Sequence, residues 1–394
     1  MIRIEGEFLS SPGLQRLLSA LTDAGHQALI VGGAVRNALL GENVSDVDLS
    51  TDARPERVAD LAKDVGMKAV PTGIDHGTVT IVAPDDNRWR SFEVTTFRRD
   101  VETDGRHAVV SFSTAIEDDA QRRDFTMNAL YATADGQVLD PIGGLPDLMA
   151  RRLRFVGDAR ARIAEDYLRI LRFFRFHAWY GAPGAADPDA VAACADLAQG
   201  LDRISKERIG DEMRKLLSAP DPGDALRLMN ETGVLQQILP GAGIDLFNAL
   251  LRVEDPPDWG LRLATLQADD PRTALRLGNR TFENIARLQN LAGRDDSLER
   301  VAYTYGTQLA RQLALYRLAL GHSLSPDWAQ RITHAQSQKL PICAADLMPA
   351  MNGPALGIAL RAADEHWIET GFQASRDELL TVARAAGLQA GADR

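Results

Sequence analysis

The sequence predicts an α+β protein, with a mixed N-terminal unit of strands and helices followed by an all-helical remainder. Short segments rich in β-branched and aromatic residues are concentrated in the first third of the chain, and after about Asp147 the hydrophobic period becomes helical. A chain of 394 residues is also too long for one ordinary hydrophobic core. We therefore expect separate units at 1–146, 147–218 and 219–394.

The N-terminal unit is expected to contain a mixed sheet with helices against it. Five strands are predicted between clusters of Gly, Pro and Asp, at 28–31, 44–49, 78–82, 91–97 and 129–132. Two helices are predicted between these strands. The first, at 33–40, follows two glycines, and the second, at 55–65, opens with a proline that suits the first helical turn.

The remainder of the chain shows helical periodicity with glycine stop signals. Helices are predicted at 224–232, 284–291 and 298–320, because each periodic run is followed by a glycine. A further helix is predicted through 163–177, where apolar residues fall on one stripe. Leu168, Phe173 and Phe176 interrupt the polar side of this helix, so we expect it to be enclosed by the protein.

Composition limits the class of function. The formal net charge of -11 argues against a uniformly basic surface but leaves room for a local basic groove. Two isolated cysteines are too few for a disulfide framework, and residues 1–10 are too charged for a secretory signal. No apolar run approaches the ~18 residues of a membrane-spanning helix. We therefore expect a cytoplasmic protein with no membrane partner, and the sequence leaves its oligomeric state open.

Two aspartates one residue apart, Asp46 and Asp48, lie in the predicted strand at 44–49. Alternation along a strand places both carboxylates on one face, about 6 to 7 Å apart at their Cα atoms. Two like charges there need a cation, and Mg²⁺ prefers one or two carboxylates together with water and substrate phosphates. The alternative is a pair of solvated aspartates in a turn. Glu93 is either a third carboxylate or an ordinary exposed strand residue.

Gly32 and Gly33 follow an apolar strand and open a helix. Their backbone N–H groups and the helix N-terminus are suited to binding phosphate, and Arg36 lies one turn further on. The pattern is neither a dinucleotide fingerprint nor a P-loop, because it lacks the third glycine of one and the G-K-[ST] of the other. A phosphate cradle followed by a paired-carboxylate site is the layout of metal-dependent nucleotidyl transfer.

These residues resemble a known family. The stretch VGGAVRNALLGENVSDVDLST (31–51) is similar to the G-G-x-V-R-D and D-x-D-L-x-T signature of class II tRNA nucleotidyltransferases (CCA-adding enzymes) and bacterial poly(A) polymerases. RRDFTMNAL (122–130), DPIGGLPDL (140–148) and EDYLRILRFFRF (165–176) resemble later motifs of the same family. The resemblance is dense over about residues 28–180 and weaker beyond.

The resemblance implies a Mg²⁺-dependent enzyme that adds C and A residues from CTP and ATP to the 3′ end of tRNA and releases pyrophosphate. It implies that Asp46 and Asp48 hold the metal ions. It also implies nucleotide contacts by the cradle residues already named and by Arg123, Asp166, Arg169, Arg172 and Arg175. Asn37 departs from the family pattern, which usually has Asp there, and this change is expected to weaken the positioning of Arg36.

The chemistry of Asp166 and Arg169 explains how a protein selects a base. The aspartate only accepts hydrogen bonds and the arginine only donates them. Cytosine and adenine present an amino donor beside a ring-nitrogen acceptor and satisfy both groups. Uracil and guanine present a carbonyl and a ring N–H, and each mismatch costs ~1 to 3 kcal/mol. The alternative is an ordinary i,i+3 ion pair on a helix surface.

Several alternatives stay open. A poly(A) polymerase shares all of these groups, although TGIDHGTVTIV (72–82) resembles the CCA-adding members more closely. A catalytically silent RNA-binding protein with the same fold is the alternative from another class. Residues 151–180 contain eight arginines against three acidic residues, which suits an RNA ligand. No histidine precedes an aspartate, so no phosphohydrolase domain is expected. Full CCA addition and addition of a subset are equally compatible with these motifs.

Overall fold

A computed structural model describes residues 2–86, 88–104 and 107–392. The chain divides into two compact units. The first comprises Met1–Ala242 and Asp269–Arg276, and the second comprises Gly243–Ala268 and Leu277–Arg394. This division joins the whole of the predicted 147–218 unit, together with residues 219–242, to the N-terminal sheet. The division of the first unit at 146/147 and 218/219 into functional parts therefore stays a prediction.

The first unit is built on a seven-stranded mixed sheet. Its strand order is β3-β4-β5-β2-β1-β8-β9, and β2 and β5 are parallel, whereas the other neighbouring strands are antiparallel. A separate hairpin pairs β6 with β7. The strands are β1 (Ala28–Val31), β2 (Asp48–Thr51), β3 (Lys68–Gly73), β4 (Thr78–Asp85), β5 (Arg88–Thr96), β6 (Arg98–Asp104), β7 (His107–Phe112), β8 (Tyr131–Ala132) and β9 (Val138–Leu139).

The first unit has eleven described α-helices before residue 243 and one short α-helix in its Asp269–Arg276 segment. The first group is α1 (Pro12–Asp23), α2 (Gly33–Leu40), α3 (Pro55–Asp64), α4 (Ile116–Gln121), α5 (Leu145–Met149), α6 (Ala159–Glu165), α7 (Leu168–Tyr180), α8 (Pro188–Asp196), α9 (Lys206–Leu217), α10 (Gly223–Glu231) and α11 (Val234–Ile238). The second unit is helical throughout its described residues: α12 (Asp245–Leu250), α13 (Trp259–Thr265), α15 (Asn279–Ala292), α16 (Leu298–Tyr305), α17 (Thr307–Ala319), α18 (Trp328–Ser337), α19 (Gly353–Glu369) and α20 (Arg376–Ala392). The short helix α14 (Pro271–Ala274) belongs to the first unit. None of the described helices is long and apolar enough to span a lipid bilayer.

The predicted α+β architecture is confirmed, and so are the bounds of β1 and α2. The strand predicted at 44–49 is wrong at its start, because β2 begins at Asp48. Its neighbour β1 pairs Val31 with Asp48 and then turns away at Gly32, where φ is 66°. Residues 44–47 consequently have no strand partner in β1. The predicted strand at 129–132 is likewise reduced to two residues, since a 3₁₀ turn occupies Thr126–Asn128.

Two predicted helices are interrupted. The helix through 163–177 is two helices, α6 and α7, because Asp166 adopts an extended conformation with φ −152° and ψ 106°. Ile170, Phe173 and Phe176 of α7 are buried, so the enclosure predicted for this segment is confirmed. The run at 298–320 is divided into α16 and α17 at Gly306, whose φ of 95° and ψ of 163° no helix can accommodate.

Candidate active site

The paired carboxylates lie where the central strand β2 begins. Asp48 is the first residue of β2, and Asp46 lies in the preceding loop, where it accepts a hydrogen bond from Ser45 Oγ at 3.0 Å. Both aspartates are exposed, whereas Val47 and Leu49 are 4% and 1% exposed. The alternation of burial predicted for this segment is therefore present, although only Asp48 belongs to the strand.

The predicted third carboxylate lies beside Asp48. The parallel register of β2 and β5 pairs Asp48 directly with Glu93. Although part of the Asp48 side chain is exposed, the protein around it displaces water, and this desolvation together with the charges of Glu93 and Asp46 raises its pKa, while Arg123 opposes the rise. Desolvation and like charge both disfavour the ionised form of Asp48, and a cation bound between the carboxylates would offset both.

This gathering of negative charge fits a divalent cation. Within the described ranges, no group of three His, Cys, Asp or Glu side chains is arranged to enclose a metal ion. Mg²⁺ does not require such a cage, because it retains waters and uses one or two carboxylates together with substrate phosphates. Asp46 and Asp48 supply hard oxygen ligands of that kind, with Glu93 as their neighbour.

The main contribution of Gly32 is that it lacks a side chain, which leaves room for Arg123; its N–H group is already used within the protein. The N–H of Gly32 donates to the carbonyl of Leu130 at 3.0 Å, so it is not free for phosphate as predicted. A Cβ at Gly32 would lie 3.3 Å from Nη1 of Arg123, and the φ of 66° disfavours any side chain. Gly32 thus lets Arg123 approach the turn. The first turn of α2, beginning at Gly33, carries no side-chain cap.

Arg36 is a buried cation held by neutral groups. Arg36 is only 6% exposed, and this burial lowers the pKa of its guanidinium. It donates to Asn128 Oδ1 (2.5 Å), to Tyr180 Oη (2.8 Å) and to Asn37 Oδ1 (2.8 and 3.1 Å). Its guanidinium carbon lies 3.8 Å from the ring centroid of Tyr180. The expected weakening by Asn37 is therefore not seen in the contacts, since the amide oxygen still accepts two bonds.

Arg123 is fixed by a buried carboxylate. Asp119 is 0% exposed and accepts hydrogen bonds from Arg123 (3.0 Å), Arg122 (2.8 Å) and Tyr131 (2.8 Å). Burial by itself opposes ionisation of Asp119, but the charges of Arg123 and Arg122 outweigh it and lower the pKa. Ser50, two residues beyond Asp48, also accepts a bond from Arg123 at 3.3 Å.

Arg172 and Asp124 connect α7 to the sheet domain. Arg172 donates to Asp124 through Nε at 3.0 Å and also through Nη2. Asn128 Nδ2 donates to the same carboxylate at 3.1 Å. Burial raises the pKa of Asp124, but the charge of Arg172 and these hydrogen bonds lower it to about 2. Asp124 is therefore ionised at neutral pH and orders Arg172.

Asp166 and Arg169 do not pair with each other. Asp166 lies between α6 and α7, where Oδ1 accepts from the N–H of Leu168 (3.1 Å) and Oδ2 accepts from Arg208 (2.7 Å). Arg169 donates to the carboxylate of Glu165 and to the carbonyl of Arg162 at 2.7 Å. The surface i,i+3 ion pair that was the alternative reading is thus absent. Asp166 and Arg169 therefore have separate partners, an acceptor held by Arg208 and a donor held by Glu165, near the start of α7.

The basic segment at 151–180 is largely neutralised by acidic side chains. Asp147, which is 1% exposed, accepts from Arg152 and Arg154, and the Nε of Arg175 lies 2.6 Å from Glu212. Arg160 pairs with Asp196. Much of the local positive charge that suggested an RNA groove is therefore paired with carboxylates of the same unit, although the side chains of Arg152, Arg154 and Arg160 remain partly exposed.

Sequence reasoning missed several groups that hold the site together. Asp119 had a visible signal, because it precedes Arg122 and Arg123 by three and four residues on a helix. Arg208 and Glu212 on α9 had none, since their partners, Asp166 just before α7 and Arg175 on α7, lie far away in the sequence. Tyr180 gave no signal either, because its contact with Arg36 spans 144 residues.

Two family models match the chain. The model described as "Poly A polymerase head domain" matches residues 28–154, and "Probable RNA and SrmB- binding site of polymerase A" matches residues 186–243. A mouse (Mus musculus) protein named CCA tRNA nucleotidyltransferase 1, mitochondrial, is 33% identical over 407 residues, which cover 96% of this chain and 91% of the relative. A CCA-adding enzyme of Leuconostoc mesenteroides is 39% identical over 60% of this chain and 57% of its own length.

Solved structures share the fold over nearly the whole chain. The Bacillus stearothermophilus CCA-adding enzyme in complex with CTP superposes with a TM-score of 0.76 and 27% identity, covering 96% of this chain and 98% of that one. The Thermotoga maritima CCA-adding enzyme complexed with tRNA has a TM-score of 0.69 and covers 97% and 96% of the two chains. Its 18% identity supports likeness of fold alone.

Proposed function

The chain belongs to the family of CCA tRNA nucleotidyltransferases, and on that premise we propose that Asp46 and Asp48 hold the Mg²⁺ ions with which it adds C and A residues from CTP and ATP to the 3′ end of tRNA. The reaction releases pyrophosphate and uses no nucleic-acid template. One observation carries the assignment: Asp48, its neighbour Glu93 and the fixed guanidinium of Arg123 meet at the Gly32 turn.

One set of residues binds the metal and the triphosphate, and another set recognises the base. Asp46 and Asp48 would hold Mg²⁺, which when bound would supply charge stabilisation for the attacking and leaving oxygens at the α-phosphate. Arg36 and Arg123 bind the triphosphate, and the amides at the start of α2, from Gly33 onward, add neutral donors. Arg172 and Arg175 on α7, which pair with Asp124 and Glu212, are proposed as further nucleotide contacts.

Base selection falls to Asp166 and Arg169. A carboxylate has about four lone-pair positions, so Asp166 can accept from a base amino group while it retains Leu168 and Arg208. Arg169 donates to the ring nitrogen. Because cytosine and adenine share this donor and acceptor order, one pair of side chains serves both CTP and ATP.

The metal role is tested with Asp46→Asn and Asp48→Asn, with Asp60→Asn as the matched control on the exposed face of α3. Each protein is given a tRNA that lacks the 3′-terminal CCA, and incorporation is followed with and without EDTA. We expect each active-site variant to lose incorporation at least ~10²-fold and to retain tRNA binding in a filter assay. Wild-type rates in either variant would refute the metal assignment.

The nucleotide choice is tested by offering CTP, ATP, UTP and GTP separately and together. Three added residues in the order C, C, A support complete addition, and a product that ends at CC or needs a preformed CC end defines a subset. Long A-only tails with indifference to CTP would identify a poly(A) polymerase instead.

We further infer a cytoplasmic location. Both cysteines are unpaired, with Cys194 buried and Cys343 exposed, as expected in a reducing compartment. The mouse relative is named mitochondrial, so fractionation of cells expressing the tagged full chain is the appropriate test. Recovery in an organelle fraction would contradict the inference.

A further inference from the structure

Asn37 occupies a bridging position between the two halves of the candidate active site. It follows Arg36 on α2 and is half-buried. Its Oδ1 accepts from Nε and Nη2 of Arg36 at 3.1 and 2.8 Å. Its Nδ2 donates to the backbone carbonyl of Asn43 at 2.8 Å. One side chain thus contacts both the phosphate-binding arginine and the loop that leads to Asp46.

The two contacts need a side chain that accepts and donates at once, which an amide does and an ionised carboxylate does not. A guanidinium donates and never accepts, whereas a backbone carbonyl accepts and never donates. The side chain between Arg36 and Asn43 must therefore present an acceptor to one and a donor to the other. This requirement also fixes the orientation of the amide, because a flipped Asn37 would face two like partners. An aspartate keeps the first contact and turns a negative oxygen towards the Asn43 carbonyl.

The loop that Asn37 holds has little else to order it. Glu42, Asn43, Ser45 and Asp46 are exposed, so burial contributes little to their placement. The N–H of Glu42 donates to the backbone carbonyl of Asn37 at 2.8 Å. Asn37 therefore anchors the loop twice, once through its backbone and once through its side chain, shortly before the chain reaches Asp46.

The neutral amide also preserves the charge of Arg36. Among the described residues, no Asp or Glu lies within ion-pair distance of Arg36, and its hydrogen-bond partners Asn37, Asn128 and Tyr180 are neutral. Asp124 acts on Arg36 only from beyond ion-pair distance and pairs directly with Arg172, so the guanidinium of Arg36 keeps most of its attraction for an anion. A carboxylate at position 37 would satisfy that attraction internally.

We propose that Asn37 is a positioning residue that holds the Asp46 loop against Arg36 and keeps that arginine free for substrate phosphate. The inference rests on the proposed roles of Asp46 and Arg36. It assigns to one amide two separable effects, because the loop tether needs the donor, whereas the free charge of Arg36 needs the absence of a carboxylate.

The test compares Asn37→Ala and Asn37→Asp with the wild type and with Gln27→Glu. Gln27 is a matched control, because its exposed side-chain amide also donates to a loop carbonyl, that of Thr114, at 3.0 Å. Hydrogen–deuterium exchange of the peptide covering 41–47 is measured without metal or nucleotide. We expect exchange to be about 5-fold faster in both Asn37 variants, the size of one lost hydrogen bond, and unchanged in Gln27→Glu.

The second measurement separates the two effects through inhibition by inorganic pyrophosphate. Asn37→Ala retains the free charge of Arg36, so the inhibition constant is expected to stay within about 3-fold of the wild type. Asn37→Asp pairs Arg36 internally and is expected to weaken inhibition about 10-fold or more. Unchanged exchange in both variants, or equal pyrophosphate inhibition in both, overturns the proposal.

A merely structural role predicts a different outcome. It would lower thermal stability and change every kinetic constant in parallel, and that pattern also refutes the inference. Alanine is a better helix former than asparagine, so Asn37→Ala is expected to fold. Failure of the proposed function would appear separately, as full activity in Asp46→Asn, whereas an inactive Asp46→Asn beside wild-type Asn37 variants would defeat this inference alone.

Discussion

Asp166 and Arg208 form an ion pair at 2.7 Å, although 42 residues separate them in the sequence. The carboxylate proposed to read the base is therefore held by a helix that no motif predicted, α9. The Asp166 side chain is 16% exposed and the Arg208 side chain 22%, so solvent screens this pair only partly. Arg208 thereby orders the acceptor before a nucleotide arrives.

Replacing Arg208 by Ala is expected to loosen base selection more than it slows correct addition. Without its partner, Asp166 is free to rotate, and the cost of a mismatched base falls. One hydrogen bond to a charged group is worth about 1.5 to 3 kcal/mol, so discrimination between CTP and UTP is expected to fall 10-fold or more. The ratio of kcat/KM values for the two nucleotides measures it. Arg214→Ala, on an exposed position of the same helix, is the control, and an unchanged ratio in Arg208→Ala contradicts the prediction.

Asp48→Asn is expected to raise thermal stability at neutral pH in the absence of Mg²⁺. Partial desolvation and the neighbouring negative charges raise the pKa of Asp48 above the ordinary value, so its ionised form is less favourable in the folded chain than in the unfolded chain. This loss of stability develops as pH rises through the unfolded and folded pKa values and is absent below about pH 4. Melting curves from pH 4 to 8 in EDTA measure the difference. A variant less stable than the wild type at pH 7 contradicts it.

Glu93→Gln is expected to shift the acid limb of the pH–rate profile to lower pH. Removing the negative charge of Glu93 lowers the pKa of Asp48, because its ionised form then has one repulsive neighbour fewer. The profile of kcat/KM for CTP at saturating Mg²⁺ reports this shift. A shift towards higher pH would mean that Glu93 does not act on Asp48 through its charge.

Asp119→Asn is expected to lower the free energy of unfolding by about 3 to 5 kcal/mol, as for other broken buried ion pairs. The carboxylate is 0% exposed and serves two arginines and Tyr131. Its lowered pKa means that the stabilisation is complete above about pH 4 and is lost as pH falls through the folded pKa. Urea unfolding at pH 7 measures the effect. Asp135→Asn, which removes an exposed pair with Arg3, is the control and is expected to leave the urea midpoint nearly unchanged, because solvent screens that pair.

Tyr180→Phe and Tyr180→Leu are expected to separate the two contacts by which Tyr180 holds Arg36, the hydrogen bond to its hydroxyl and the cation–π contact with its ring. The phenylalanine variant loses the hydroxyl contact at 2.8 Å and retains the aromatic face, which costs about 1 kcal/mol or a 5-fold rise in KM for CTP. The leucine variant loses the cation–π contact as well, for a further 0.5 to 2 kcal/mol. Equal KM values for both variants would show that the ring face of Tyr180 does not hold Arg36.

The sequence predicts elements well where local and tertiary signals agree. The strand at Ala28–Val31 and the helix at Gly33–Leu40 match their predicted bounds, because an apolar run, a glycine turn and a closing Gly41 mark each edge. The start of β2 was mispredicted for a non-local reason. Apolar alternation continues through Val44, but the hydrogen-bonding partner ends at Val31.

In the candidate site, too, features set by the local sequence could be predicted, and features set by tertiary packing could not. The types of functional residue followed from motifs, and alternation predicted the exposure of Asp46 and Asp48. The partners of Asp166 and Arg175 did not follow, because they depend on how α7 packs against α9. The kink at Asp166 was missed since no glycine or proline marks it, and its carboxylate itself accepts the N–H of Leu168.

The parallel pairing of β2 with β5 has a consequence for biosynthesis. Strands β3 and β4 lie between them in the sequence, so Asp48 meets Glu93 only after the chain beyond Thr96 has left the ribosome. A nascent chain that ends earlier carries both aspartates but has no strand to complete their surroundings. The surroundings of Asp48 are therefore completed by a non-local pairing, the kind of contact that tends to slow folding.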